Sequence, residues 1–199
     1  MPPDQTAIIQ AGINALAEVD FNINVVMRHR PSAEITGPPY LVISQPEIAE
    51  ALQNICSSQA VAYACLFDDG RRASEAPRFT NLRLERVGQV RDHCKGIALT
   101  EMRSRGVRNA LAHFDERYLK AIVDHGEKGG WLQDIALSHK AAINLGADAE
   151  QRMIRVYIYD EDILYVFGEM LRLKRLREEI DAVVTRLGYE IDVSGRPAA

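Results

Sequence analysis

The chain has 199 residues, 47% hydrophobic and 26% charged, with a formal net charge of −4. That size and balance suit a soluble globular domain with a real core, residues 1–199 forming one unit, and exclude disordered and low-complexity classes. No stretch of eighteen uncharged apolar residues occurs, so no membrane partner is expected, and the start "MPPDQTAIIQ" lacks the basic and apolar regions of a secretory signal. Cys56, Cys65 and Cys94 are odd in number, lie in apolar helical patterns and match neither a disulfide framework nor a zinc spacing. A reducing cytoplasm is the expected location.

In chain order, Ile9, Leu16, Val19, Ile23 and Val26 recur at helical spacing over residues 4–28. "FNINVV" also alternates, leaving a strand open there. Pro31, Gly37, Pro38 and Pro39 force an irregular connection. A second helix is expected from "SQPE", with Ser44 capping, Glu47 reaching back and Pro46 in the first turn. Its apolar stripe is Ile48, Leu52, Ile55, Ala62 and Leu66, interrupted by Gln59 on the same face. "DDGRRASEAPRFTN" reads as a polar loop, after which Val87, Val90, Cys94, Ile97 and Met102 extend a helical pattern weakened by Gly88 and Gly96.

A helix is predicted from Val107 to His125, with "GEKGG" ending it, and another from Trp131 to Asn144, closed by Gly146. The period then changes. "RMIRVYIYDEDILYVFG" holds two β-branched and aromatic runs around Asp160-Glu161-Asp162, which predicts a hairpin at about 152–167. Leu173, Leu176, Ile180, Val183 and Leu187 predict a final amphipathic helix at about 169–187, and a frayed tail is expected from about 190. These elements add up to a mainly α chain, a helical bundle carrying one hairpin.

Charge is unevenly distributed. Between Arg71 and Arg117 there are eleven Lys/Arg against six Asp/Glu, which leaves the rest of the chain acidic. A basic segment of this kind attracts a polyanion locally, or is simply a solvated arginine-rich face.

The stretch "GVRNALAHFDER" lies inside that segment. On a helical wheel Val107, Leu111, Phe114, Tyr118 and Ile122 share one stripe facing the core, with Arg108 at its edge. Asn109, His113 and Glu116 cluster further round. Arg108 and His113, five residues apart, are separated by about 140° and flank a groove rather than stack. A guanidinium grips phosphate and a histidine moves protons at neutral pH, with an asparagine amide to orient either. The set suits attack of an RNA 2′-hydroxyl on its neighbouring phosphate. It also reads as local pairing, of His113 with Asn109 or Glu116 and of Arg108 with Asp115 or Glu101. The carboxylates of "HFDE" and "YDED" have no metal-ligand spacing, so neither a metal nor another cofactor is expected.

Arg108-Asn109 with His113 after four intervening residues, on a late helix of a helical bundle, resembles the HEPN superfamily over about residues 86–125. The resemblance implies a HEPN-like antiparallel bundle and a metal-independent endoribonuclease. It also implies a homodimer whose two motifs face one cleft, in a toxin, phage-defence or stress setting. Arg108 and His113 then carry over as catalytic and Asn109 as their polar support, with Arg103 and Arg105 lining the cleft for RNA. A nucleotidyltransferase-type antitoxin is a partner in some such families, acting on a tyrosine two residues after the histidine; here that position is Asp115, and Tyr118 lies one turn later. The alternative is a non-catalytic HEPN-like module that binds RNA, a nucleotide or a protein.

The remaining polar features have structural readings. His93 reads as a packed or paired helix residue. "MRHR" at 27–30 complements a helix C-terminus. Tyr157, Tyr159, Tyr165 and Phe167 pack across strands, although such rings also stack bases. Trp131 anchors a loop or a dimer surface.

Overall fold

The computed structural model describes residues 3–30, 42–70, 75–125, 130–140 and 149–191. Among them are six α-helices: α1 (Pro3–Arg28), α2 (Pro46–Leu66), α3 (Pro77–His93), α4 (Gly106–Ala112), α5 (Phe114–His125) and α6 (Leu173–Arg186). Five strands accompany them: β1 (Val42–Ile43), β2 (Leu132–Leu137), β3 (Met153–Ile158), β4 (Ile163–Val166) and β5 (Glu169–Arg172). The strands form one sheet in the order β1-β2-β3-β4-β5, parallel between β2 and β3 and antiparallel elsewhere.

The expectation of a mainly α HEPN-like bundle with a single hairpin is therefore corrected. The hairpin around Asp160–Asp162 is present as β3–β4, but it is the middle of a five-stranded mixed sheet. The helix expected over Trp131–Asn144 is instead β2 as far as Leu137, because its "LQDIAL" run pairs rung by rung with β3. The start of the expected last helix is β5, which turns back on β4 through Gly168 at φ +83°. The helix proper begins at Leu173.

Local rules account for the remaining differences. Pro46 sits in the first turn of α2, so Gln45 rather than Ser44 is the N-cap. Gln45 is extended (φ −118°, ψ 142°), as a residue before proline must be, and makes no side-chain capping bond. Pro77 likewise opens α3 inside the expected polar loop, and α3 stops at His93. Residues 94–105 then form turns, with Gly96 at φ +88°. "FNINVV" is helical, the end of α1. The connection at 31–41, most of "GEKGG", Gly146 and the tail beyond Ile191 lie outside the described residues.

The main core lies where α1 and α2 pack along one face of the sheet with α6 beside them. Ile13, Leu16, Ile23, Ile48, Leu52, Ile55, Leu176 and Ile180 are all buried there, with Ile154, Tyr157, Leu164 and Leu171 from the sheet. A smaller cluster of Ile135, Leu137, Met153, Val156, Ile158 and Tyr165 occupies the other face. Ile154 and Val156 thus face opposite ways, although residues two apart in a regular strand share a face. The cause is Arg155, at φ +55° between them; its neighbour across the parallel rung, Asp134, is also at φ +55°. Their side chains form a two-pronged ion pair, Arg155 Nε to Asp134 Oδ1 and Nη2 to Oδ2.

Candidate functional site

The site begins with the irregular segment that precedes α4, residues 99–105. Its backbone is held by side chains from distant elements. Glu179 of α6, almost fully buried, accepts the N–H groups of Thr100 (2.8 Å) and Glu101 (3.0 Å) at Oε1 and that of Met102 (2.8 Å) at Oε2. Gln59 of α2 donates to the carbonyls of Glu101 (3.3 Å) and Met102 (3.0 Å). Glu101 is itself buried and accepts the N–H of Arg172 at 3.1 Å. Met102 is sealed in the core. The interruption that Gln59 makes in the apolar face of α2 is thus a clamp on the segment leading into the motif. Nothing local in the sequence announces Glu179, which lies 77 residues beyond Met102.

Arg103 and Arg105 extend from this pinned segment and are exposed. Arg108, in the first turns of α4, turns back onto it. Its guanidinium lies 3.4 Å from the centre of the Tyr63 ring. Nε donates to the Ser104 carbonyl at 2.9 Å and Nη2 to that of Arg103 at 3.4 Å. Partial burial lowers the pKa of Arg108, opposed by the charge and hydrogen bond of Tyr63. Tyr63 stands one helical turn after Gln59 on α2, so one face of that helix supports both the segment and the arginine. The pairing of Arg108 with Asp115 or Glu101 is not what forms; Glu101 pairs with Arg172.

The helix expected over 107–125 breaks at His113, which has φ −116° and ψ 38° and caps α4. No glycine or proline marks the break. The next residue, Phe114, is drawn into an aromatic group with Phe167 (5.3 Å between centres) and Tyr118 (6.0 Å), which Trp131 joins through Tyr118 at 6.3 Å. The Arg155 guanidinium stands 5.5 Å from the Phe114 ring. The apolar stripe survives as buried Val107 and partly buried Leu111, Phe114 and Tyr118, but Ile122 is exposed.

His113 itself is solvent-facing. Its side chain is 61% exposed, and Nδ1 lies 3.4 Å from Oε2 of the exposed Glu116. Asn109 is exposed too, and its backbone carbonyl accepts the His113 N–H at 3.1 Å. The structure therefore separates the motif into an anchored arginine, stacked on α2, and an exposed histidine at a helix junction. Beyond the junction α5 presents Leu119, Ile122 and Val123 to solvent, Val123 being 83% exposed.

A cleft of about 480 Å³ opens beside this segment, between the end of α3 and the turns that follow it. Arg103 lines it together with Arg91, Lys95 and Leu99.

The other polar features take structural roles. His93 Nδ1 bonds to the Gln89 carbonyl at 2.8 Å, and His29 Nδ1 to that of Val25 at 2.9 Å, each at a helix end. Tyr157 and Tyr165 are buried in the sheet, and Tyr159 and Phe167 are buried just past the ends of β3 and β4. Among the described residues no group of three or more His, Cys, Asp or Glu is placed to hold a metal ion, and no helix is long and apolar enough to cross a membrane. The three cysteines are free thiols.

No family model, curated protein or solved structure matches the chain.

Proposed function

We propose that this chain is a metal-independent endoribonuclease that acts as a homodimer, the reading first suggested by the likeness of its motif to the HEPN superfamily. The observation that carries it is the placement of His113: an exposed imidazole at a helix junction, with a carboxylate at Nδ1 and no partner for Nε2 among the described residues. A carboxylate at one ring nitrogen orients the other for proton transfer. In the reaction, the imidazole takes the proton of an RNA 2′-hydroxyl and the oxygen attacks the adjacent phosphorus. The bond from phosphorus to the 5′-oxygen breaks and that oxygen takes a proton from solvent, giving a 2′,3′-cyclic phosphate, while the imidazolium returns its proton to solvent. Arg108, held rigidly by Tyr63 and two carbonyls, meets the developing phosphorane charge, and Arg103 and Arg105 hold the flanking phosphates. The exposed face of α5 next to His113 supports the dimer. Leu119, Ile122 and Val123 leave apolar surface exposed on that helix, which a second copy of the chain would cover.

The test is cleavage of a labelled RNA in the presence of a chelator. The wild type should cut, and His113→Ala should cut at least about 100-fold more slowly, the usual scale of a lost acid or base. Leu119→Glu with Val123→Glu should yield a monomer by sedimentation and lose cleavage. A wild type that cuts nothing, or a His113→Ala protein that cuts equally well, overturns the proposal.

A second reading is favoured by one fact, the internal employment of the Arg108 guanidinium. In that reading Arg108 is a clamp and the basic segment binds RNA without cutting it. It is the one to keep if wild type binds RNA in a salt-dependent way yet leaves it intact.

A further inference from the structure

We infer that the cleft beside the pinned segment is a site for a single nucleoside phosphate, with the base on its apolar floor and the phosphate at Lys95 and Arg103. This rests on the RNA reading above and names where one unit of the substrate is held. The volume, about 480 Å³, is in the range of small-molecule sites. Its lining divides into two halves. Phe67, Ile97 and Leu99 supply an apolar floor, with Phe67 buried and the other two packed at the edge of the core. Cations stand on the rim. Arg91 is tied to Asp69 at 2.6 Å, and that hydrogen bond holds the Asp69 carboxyl below the usual carboxylate range. Lys95 and Arg103 are exposed and make no ion pair among the described residues. Thr100 adds a hydroxyl.

The charges select the ligand. Among the described residues of the rim, Arg91 is paired with Asp69, whose carboxyl also feels the charge of Arg103, while Lys95 and Arg103 make no ion pair and Asp92 lies beside them. Among the described residues, three cations against the two carboxylates of Asp69 and Asp92 leave one net positive charge, which suits one phosphate group and opposes the crowded charge of a triphosphate. The apolar floor rejects inorganic phosphate alone as the best occupant, since it offers the floor nothing to bury. Arg103 joins this cleft to the motif, because its carbonyl accepts Arg108 Nη2 and the preceding residue is fixed by Glu179 and Gln59. The shared chemistry is that of a mononucleotide, either free or within an RNA chain.

Calorimetric titration of the full chain with AMP, adenosine, inorganic phosphate and a 2′-O-methyl oligoadenylate tests this. AMP should bind more tightly than either adenosine or phosphate. Lys95→Glu with Arg103→Glu should weaken AMP at least about tenfold while urea unfolding stays unchanged, both side chains being exposed. If the oligonucleotide competes with AMP, the unit belongs to an RNA chain; if it does not, the site takes a free mononucleotide, and either result supports the cleft. Equal AMP binding by the double variant and wild type, or no AMP binding at millimolar concentration, overturns it. Cleavage assays separate the two proposals. AMP binding that needs Lys95 and Arg103, in a protein that cuts no RNA, leaves the cleft standing and removes the nuclease. Cleavage that depends on His113, with AMP binding indifferent to the double variant, does the reverse.

Discussion

Replacing Glu179 with glutamine should destabilise the fold by about 2–5 kcal/mol, and the figure follows from the bonds of its carboxylate. Oε1 accepts two backbone N–H groups and Oε2 a third, all within 3.0 Å, in a nearly fully buried setting. Glutamine keeps one acceptor oxygen. If that oxygen takes the place of Oε1, the amide nitrogen confronts the Met102 N–H and leaves a buried donor unmet, at about 1–3 kcal/mol. The two bonds that remain lose their charge assistance, about 0.5–1 kcal/mol each. The loss of Arg175, 3.6 Å away and half-exposed, adds little. With a urea m-value of about 2 kcal/mol/M for a domain of this size, the midpoint should fall by about 1–2.5 M without a change in slope. Hydrogen exchange should accelerate first at the amides of Thr100, Glu101 and Met102. A midpoint within about 0.2 M of wild type would refute the reasoning, by showing that the segment is held by something other than this carboxylate.

Tyr63→Leu removes the ring beneath Arg108 and should cost about 1 kcal/mol, the scale of a partly desolvated cation–π contact, read as a lower urea midpoint. Gly12→Ala should also destabilise, by about 1–2 kcal/mol. A methyl there would lie 2.6 Å from Cγ of the fully buried Leu66, and that overpacking exceeds the gain in helix propensity. Gly88→Ala on α3 is the control: nothing lies within 4 Å of the new methyl, so thermal unfolding should shift upward by up to about 1 kcal/mol. Burial pushes the Cys56 thiol from 9.0 up to about 12, so at pH 8 it should resist a disulfide reagent until the chain unfolds, while half-buried Cys65 reacts sooner. Because that folded pKa is raised, the stability linked to Cys56 is present below pH 9 and lost as pH climbs toward about 12. Cys56→Ala should flatten this alkaline decline in urea titrations.

What could be read from the sequence was whatever its neighbours in the chain decide. The stripes of α1, α2 and α6 and the turn at Asp160–Asp162 are local patterns, and they fold as they read. β2 and β5 are not local. "LQDIAL" and "EMLR" contain good helix formers and become strands because β3 and β4 offer them edges. The same holds in the candidate site. The order Arg108, Asn109, His113 was plain, and so was the oddity of Gln59. The break at His113 was not, because no glycine or proline marks it and the Phe167 ring that packs on Phe114 beside it is met only in three dimensions. With the break, the continuous wheel that set Arg108 and His113 about 140° apart no longer describes them.

The paired kinks at Asp134 and Arg155 have a bearing on how the sheet finds its alignment. β3, β4 and β5 follow one another through short turns, and a short turn dictates which residues face each other. β2 and β3 are parallel and joined by residues 138–152, a connection too long to dictate anything of the kind. Each strand swaps its inward and outward sides at the kink, so the pair can agree on both sides of it only if the two kinks share a rung. A slip by one position would leave a stretch with core residues turned outward in one strand alone, and would separate the carboxylate from its guanidinium. Asp134 and Arg155 thus act as a key and its slot, giving the parallel pair the alignment that a hairpin gives its neighbours for free.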